Sequence, residues 1–233
     1  MSASKTLLSI FTEPGKAMAA VEQRSMLWLP LLLLVLGNVA LMAWYYGVVD
    51  FAWLQDRLLS SNPEIDGAAR EAAQQFMTRP VMMGGALVGV VIGVPAMLCL
   101  FAVYYFLAAK VVGNELSFGK WFAFVVWTSV PTLLNLPAMA IGILMSGNGQ
   151  IAPEALNPLT LNQLLFQFPM GHPWQALLDS IALTTLWSIA VAVIGFEVWT
   201  RRSQATALAV VLLPYVVIYG GWAVYAALQS GAA

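Results

Sequence analysis

Five stretches of this chain, each 17 to 29 residues long, contain no charged residue. About 20 apolar residues cross the hydrocarbon layer of a membrane as a helix, and only helices or closed barrels satisfy the backbone there. A barrel strand alternates apolar and polar residues, whereas these stretches are continuously apolar. The sequence therefore predicts an all-α integral membrane protein with one five-helix bundle over residues 26–229. The predicted transmembrane helices are residues 26–49, 81–109, 121–145, 179–196 and 203–228.

The composition excludes some kinds of partner and chemistry. Of the 233 residues, 61% are apolar and 9% are charged, and the formal net charge is −1. A protein that binds nucleic acid carries a basic patch or stripe, and the sequence shows none, so no nucleic-acid partner is expected. The single cysteine, Cys99, allows no intrachain disulfide and is expected to be a small core residue.

Residues 1–25, which precede the first apolar stretch, form a second predicted unit. They mix Leu, Ile, Phe, Met and Val with Lys5, Lys16 and Arg24, and they are divided by Pro14 and the following glycine. Apolar residues interspersed with basic ones are typical of helices that lie in the membrane interface. We therefore expect an interfacial amphipathic segment made of two short pieces.

The loops and the ends of the apolar stretches carry further signals. Residues 50–80 form a polar loop, in which a short helix is expected over 64–77. Residues 146–179 contain Gly and Pro but also many Leu and Phe, so they are expected to lie against the bilayer or the bundle. Tryptophans near the ends of the stretches are expected to form an aromatic belt at the membrane surface; they are Trp53, Trp121, Trp199 and Trp222.

Basic residues in the short loops predict the orientation of the bundle. Cytoplasmic loops carry an excess of Lys and Arg. One set of loops together with the N-terminal segment has seven basic residues, and the opposite set has three, Arg57, Arg70 and Arg79. The N-terminus is therefore predicted to be cytoplasmic and the C-terminus outside. The seven residues are Lys5, Lys16, Arg24, Lys110, Lys120, Arg201 and Arg202.

The predicted membrane interior offers no acid–base or metal chemistry. Ionisable residues inside a membrane are costly and mark functional sites, but none lies near the middle of an apolar stretch. Asp179 and Glu197 bracket the fourth stretch and are expected to be interfacial charges at opposite faces, with an ion-binding role as the alternative. His172 is the only histidine, so one chain cannot build a multi-histidine metal site. We expect no catalytic residue, no metal and no cofactor.

Small residues recur at every fourth position and predict helix packing. They include Gly85, Gly89 and Gly93 in the second stretch and Thr184 and Ser188 in the fourth. Small residues let two helix backbones approach closely in a membrane. The favoured interpretation is packing among the second, third and fourth helices, and a dimer interface is the alternative.

The third stretch is the most polar and the most interrupted by proline. An interior proline frees a backbone carbonyl that neighbouring groups must satisfy. Such a break can bind substrate in a transporter, or it can simply shape the bundle. The candidate cavity residues are Thr128, Ser129, Pro131 and Asn135, with Asn38 and Ser188 from neighbouring helices.

The order of several motifs is similar to that of a known family. The motifs are FTEPGK at 11–16, LSFGKW at 116–121, WTSVP at 127–131, LWSI at 186–189, and Gly195. Together with the five predicted helices, they cover nearly the whole chain. The sequence resembles the Ypt/Rab-interacting protein (Yip) domain family, in its bacterial branch.

This resemblance implies a non-enzymatic, multi-pass protein of the bacterial cytoplasmic (inner) membrane. Eukaryotic members are associated with vesicle traffic, Rab-type GTPase partners and the shape of organelle membranes. We expect this chain to lack the long N-terminal domain and the Asp-Leu-Tyr-Gly-Pro type motif of those members, since the printed sequence shows neither. Their absence argues against a small-GTPase partner.

Two functions remain open from the sequence. The favoured one is a scaffold or membrane-organising protein whose partners are the lipid bilayer, further copies of the chain or other membrane proteins. The alternative is a transporter or channel for a small neutral or lipidic substrate, with a cavity around the interrupted third helix. The sequence has five predicted helices and no evident internal repeat. Many transporters are built from paired repeats, so this favours the scaffold.

Overall fold

The computed structural model describes residues 2–61 and 67–231. In this part of the chain five helices are long and apolar enough to cross a membrane, which confirms the predicted five-helix architecture. The helix expected over 64–77 is present as Gly67–Phe76, and its expected start lies outside the described residues. Spans 1 to 5 are Trp28–Val48, Arg79–Val111, Phe118–Met145, Leu183–Thr200 and Gln204–Gly231.

The fourth span begins later than predicted. The helix is Leu183–Thr200 and not 179–196, so Asp179 lies in a short helix that precedes the span. Residues 159–161 pair with residues 181–183 through backbone hydrogen bonds of 2.8 and 2.9 Å. Backbone groups used in this extended pairing are not free for helical hydrogen bonds, and the helix of span 4 therefore begins only at Leu183, the last paired residue.

Spans 2 and 3 leave the regular α-helical path next to their prolines. Residues Gly89–Gly93 form a π-helical turn just before Pro95, and Val130–Leu134 form a 3₁₀ turn that contains Pro131. A proline ring lacks an N–H and clashes with the preceding turn, so the backbone hydrogen bonds there change. These irregular turns shape the space between the spans.

Span 5 contains a proline inside its helix. Pro214 has no N–H to donate to the carbonyl of Val210, four residues earlier. The hydroxyl of Tyr104 on span 2 donates to this carbonyl at 2.5 Å. A side chain from a neighbouring span therefore satisfies the backbone group that the proline leaves free.

Two short helices precede span 1, in agreement with the predicted break. Helix α1 is Ala3–Thr12 and helix α2 is Pro14–Gln23. Their apolar faces pack into the bundle, because Ile10, Met18 and Val21 are fully buried in the main core cluster. Part of the segment predicted as interfacial is thus core, and its position in the membrane interface stays a prediction.

Polar contacts hold α2 against the ends of spans 3 and 4. The indole N–H of Trp199 donates to the carbonyl of Met18 at 2.8 Å. Lys120 donates to the carbonyl of Glu22, and Arg201 pairs with the Glu22 carboxylate at 3.1 Å. Because α1, α2 and these basic side chains meet here, we call this the basic end of the bundle.

An aromatic cluster fills the core at the basic end. The ring centroid of Trp121 lies 5.1 Å from that of Phe124, 5.4 Å from Trp199 and 5.6 Å from Phe196. Trp121 is 0% exposed and Trp199 is 2% exposed. The prediction that these two tryptophans belong to a surface belt is therefore wrong, because α1 and α2 cover this end of the bundle.

The opposite end, which we call the loop end, is built from the segments between spans 1 and 2 and between spans 3 and 4. The hydroxyl of Tyr45 donates to the carbonyl of Ile151 at 3.0 Å, and Arg57 forms an ion pair with Glu154. These contacts join the segment between spans 3 and 4 to span 1 and to the helix that follows span 1, Phe51–Ser60. The helices and turns of the loop end are Phe51–Ser60 and Gly67–Phe76 in the first segment, and Pro153–Leu156, Asn162–Phe166 and Gln175–Ser180 in the second.

The close contact at Gly195 predicts a large effect of one methyl group. A Cβ atom there would lie 2.9 Å from Met18 Cε and 2.9 Å from Phe124 Cε2, and overpacking of this kind costs about 1–3 kcal/mol. We expect Gly195→Ala to lower the thermal unfolding temperature in detergent, and to lower it less in a Met18→Ala background. Gly220→Ala is the matched control, since a Cβ there meets nothing within 4 Å. Equal melting of Gly195→Ala and wild type would contradict the packing of α2 on span 4.

Candidate functional site

A cavity of about 130 Å³ lies among spans 2, 3, 4 and 5. One water takes about 30 Å³ in the liquid, so the cavity has room for a small polar group or a few waters. We call it the hydroxyl cavity, because none of the described residues that line it is charged and their polar side chains all carry hydroxyls. These are Tyr105, Thr128, Ser129, Ser188 and Tyr215.

The local sequence of span 3 explains two of these hydroxyls. The side chains of Thr128 and Ser129 both donate to the carbonyl of Val125, at 3.1 and 2.8 Å. Hydroxyls that bond back to the preceding turn bend a helix, and the 3₁₀ turn Val130–Leu134 follows directly. Each hydroxyl oxygen keeps lone pairs that can accept a hydrogen bond from another group.

Ser188 brings an unsatisfied hydroxyl from span 4. Its Oγ atom is buried, and it has no hydrogen-bond partner among the described residues. A polar group without a partner is costly in an apolar environment. A water or a ligand hydroxyl within hydrogen-bond distance would remove this cost.

Of the six residues predicted for a cavity around the third span, three line the same cavity. They are Thr128, Ser129 and Ser188. Pro131 is buried in the neighbouring 3₁₀ turn but does not line this cavity. The polar part of the predicted site is therefore smaller than the sequence pattern indicated.

The two asparagines predicted for the cavity are used elsewhere. Asn135 accepts a hydrogen bond from the Thr184 hydroxyl at 3.0 Å, which joins span 3 to span 4. The side-chain amide of Asn38 donates to the carbonyl of Leu34 in its own helix at 2.7 Å. Hydrogen bonds between membrane helices contribute about 0.6 kcal/mol on average, and the first of these contacts has a packing role.

Two of the five hydroxyl-bearing residues that line the hydroxyl cavity were not predicted from the sequence. Tyr105 and Tyr215 are 110 positions apart in the chain, and only the packing of spans 2 and 5 brings them to one cavity. The sequence indicated their role only weakly, since a tyrosine in an apolar stretch can also be an ordinary packed aromatic residue. Phe101 lines the same cavity and stacks on Tyr215 with ring centroids 5.8 Å apart.

The ionisable candidates lie away from this cavity. Asp179 is at the loop end and accepts a hydrogen bond from Thr160 at 3.4 Å. Glu197 is exposed within span 4 and not beyond its end, so the two residues do not bracket the helix as predicted. The ring of His172 stacks on Phe168 with centroids 3.9 Å apart, a contact within the loop.

The glycines of span 2 do not pack within the bundle. Gly85, Gly89 and Gly93 are exposed, and a Cβ at any of them would meet no atom of the described residues within 4 Å. The favoured interpretation, in which these glycines pack against the third and fourth helices, is therefore not what the described chain shows.

Cys99 is exposed on the same span, against the expectation of a core residue. The residues of this span that are buried in the main core cluster are Leu98, Ala102, Tyr105 and Ala109.

An apolar groove of about 370 Å³ adjoins the hydroxyl cavity between spans 2 and 5. Met97 and Phe101 line both the groove and the cavity. Tyr104 also lines the groove, but its hydroxyl is bound to the Val210 carbonyl. The groove therefore offers apolar surface on the outside of the bundle, next to a polar cavity on the inside.

Comparison with known proteins tests the family resemblance. A search of curated proteins and a search of solved structures each found no match. A family model described as the Yip1 domain matches residues 8–225. This match extends from the first N-terminal helix into the last span, and it confirms the resemblance seen in the motifs. The chain belongs to the Yip1 domain family.

Proposed function

We propose that this multi-pass membrane protein is a non-enzymatic scaffold that organises the membrane through helix–helix contacts. The observation that carries the proposal is the exposed side of span 2 formed by Gly85, Gly89 and Gly93, which we call the glycine face. A glycine inside a helix costs about 0.8–1.0 kcal/mol relative to alanine. Three exposed glycines, at each of which an added Cβ would meet none of the described atoms within 4 Å, leave room for a partner on this face.

The partner that we propose for the glycine face is span 2 of a second copy of the chain. Bare glycine backbones spaced four apart allow two membrane helices to cross at short distance, where van der Waals packing is strong. Val88 and Ile92 lie next to the glycines and are 58% and 64% exposed. These branched side chains would pack against the facing helix on either side of the crossing.

The non-enzymatic part of the proposal is supported by the family and by the chemistry of the interior. General acid–base catalysis requires a titratable group placed at the reacting atoms. The described residues that line the hydroxyl cavity include no Asp, Glu, Lys, Arg or His, and the apolar stretches hold none of these near their middle. We therefore propose no catalytic residue, no metal and no cofactor.

The alternative function, a transporter or channel, has one supporting observation in the hydroxyl cavity. Two of the polar residues predicted to line a substrate path, Asn38 and Asn135, are bound in other contacts. The cavity adjoins a groove on the side of the bundle. This arrangement favours a binding site over a path across the membrane.

Substitution on the glycine face is expected to weaken self-association. Gly89→Ile puts a branched side chain at the centre of the face, and we expect about tenfold weaker association, which corresponds to about 1.4 kcal/mol. This self-association is measured by energy transfer between donor-labelled and acceptor-labelled protein in phosphatidylcholine vesicles. Gly220→Ile is the matched control, because this glycine of span 5 is also exposed with nothing within 4 Å of a Cβ. Equal energy transfer for wild type and Gly89→Ile would overturn the proposed interface.

We propose the bacterial cytoplasmic membrane as the location, with the basic end in the cytoplasm. Lys120 and Arg201 contact α2, and Arg202 contacts the carbonyl of Val112 at the end of span 2. The basic residues that gave the predicted orientation thus gather with the N-terminal helices at one end of the bundle. Cytoplasmic ends of membrane proteins are enriched in such residues.

Reporter fusions test this orientation in bacterial cells. Alkaline phosphatase fused after Gly231 is expected to be active, and a green fluorescent protein at the same position is expected to be dark. Fusions after Asn114, in the turn between spans 2 and 3, are expected to give the reverse pattern. The proposed orientation fails if the fusions after Gly231 fluoresce and have no phosphatase activity.

A further inference from the structure

The hydroxyl cavity offers both hydrogen-bond donors and hydrogen-bond acceptors. The hydroxyls of Thr128 and Ser129 both donate hydrogen bonds to the Val125 carbonyl, so each of them can only accept a further hydrogen bond. Ser188 has a buried hydroxyl without a partner among the described residues, and it can donate or accept. One hydroxyl group placed between spans 3 and 4 can donate its single proton to Thr128 or Ser129 and accept a hydrogen bond from Ser188. A carbonyl oxygen could only accept, and an ammonium group could only donate.

The charge of the cavity limits the ligand further. Within the described part of the chain no charged side chain lines the cavity, and Leu98, Tyr105, Val125 and Ala192 in its wall are at most 7% exposed. A phosphate or an ammonium group buried there would have no counter-charge, and an unpaired charge in an apolar environment is very costly. The cavity therefore suits an uncharged polar group.

The position of the cavity decides where such a group comes from. Thr128 is ten residues beyond the first residue of span 3, which places it about 15 Å along the helix. The adjoining groove between spans 2 and 5 is apolar and lies on the outside of the bundle, where a spanning protein meets lipid chains. Met97 and Phe101 stand between the groove and the cavity, and Met97 is 54% exposed. A molecule with an apolar chain can reach the cavity from the bilayer past these two side chains.

We propose that the protein binds an uncharged membrane lipid whose polar group is a hydroxyl, of the diacylglycerol type. Its hydroxyl occupies the hydroxyl cavity, accepts a hydrogen bond from Ser188 and donates one to Thr128 or Ser129. One of its chains lies in the groove along Phe101 and Pro214. This binding site is separate from the glycine face, so it goes beyond the scaffold function and does not depend on it.

Photo-crosslinking with a diazirine-bearing diacylglycerol tests the proposal. The full chain is reconstituted in phosphatidylcholine vesicles that contain the probe, with excess dioleoylglycerol or excess dioleoyl phosphatidic acid as competitor. We expect saturable labelling of peptides from residues 97–105 or 210–218. Dioleoylglycerol is expected to reduce labelling about tenfold, whereas the charged phosphatidic acid leaves it unchanged.

Variants of the cavity separate the hydroxyl contacts from the groove. Ser188→Ala is expected to weaken binding about threefold to fivefold, as for the loss of one hydrogen bond. Ala192→Leu fills the cavity and is expected to abolish saturable labelling. Thr132→Val is the matched control, because this hydroxyl of span 3 bonds to the Ser129 carbonyl and does not line the cavity. A thermal unfolding transition of each variant shows that it is folded. If Ala192→Leu does not fold, the labelling of Ser188→Ala alone tests the proposed site.

Three results would overturn the proposal. Labelling that does not saturate would mean that the cavity holds only water. Equal competition by phosphatidic acid would mean that the groove binds any acyl chain. Labelling of folded Ser188→Ala equal to that of the control would mean that the hydroxyls do not recognise the ligand. Labelling in the Gly89→Ile variant is expected to match wild type, so a failed glycine face and a failed lipid site give different results.

Discussion

Every backbone carbonyl inside the hydrocarbon layer needs a hydrogen-bond donor, and the prolines of this chain remove some of the usual donors. At Pro214 the hydroxyl of Tyr104 on a neighbouring span replaces the missing N–H. Around Pro131 the backbone tightens into a 3₁₀ turn, and just before it two hydroxyls donate to the Val125 carbonyl, which also accepts the backbone N–H of Ser129. The hydroxyl cavity borders both places, so the polar interior of this protein exists where helices had to depart from regular hydrogen bonding.

The two ends of the bundle and its sides are packed in different ways. At the basic end α2 fills the space over the aromatic cluster, and Gly195 is needed because Met18 and Phe124 leave no room for a methyl group. On the side of span 2 the glycines have open space around them. The same residue type therefore serves close packing within the chain in span 4 and, in the proposed function, contact with a second chain in span 2.

Much of the fold was predictable because crossing a membrane is a one-dimensional requirement on length and polarity. Stretches without charge predicted all five spans, and Pro14 predicted the break between the two N-terminal helices. The start of span 4 was missed, because pairing between residues 159–161 and 181–183 joins segments whose sequences show no strand pattern. For the cavity, polar residues near a proline identified Thr128 and Ser129, but no local pattern pointed to Tyr105 or Tyr215.

By itself the sequence determined the number of spans, the family and the uncharged character of the membrane interior, since these depend only on which residues occur and in what order. Only the tertiary structure decided which side of each helix is buried. It placed Trp121 and Trp199 in the core and left Gly85, Gly89 and Gly93 outside. The physical reason is that lipid chains are as apolar as the core of the bundle. A membrane helix that is apolar on all sides carries no polar stripe to mark its outer face, so packing alone makes that choice.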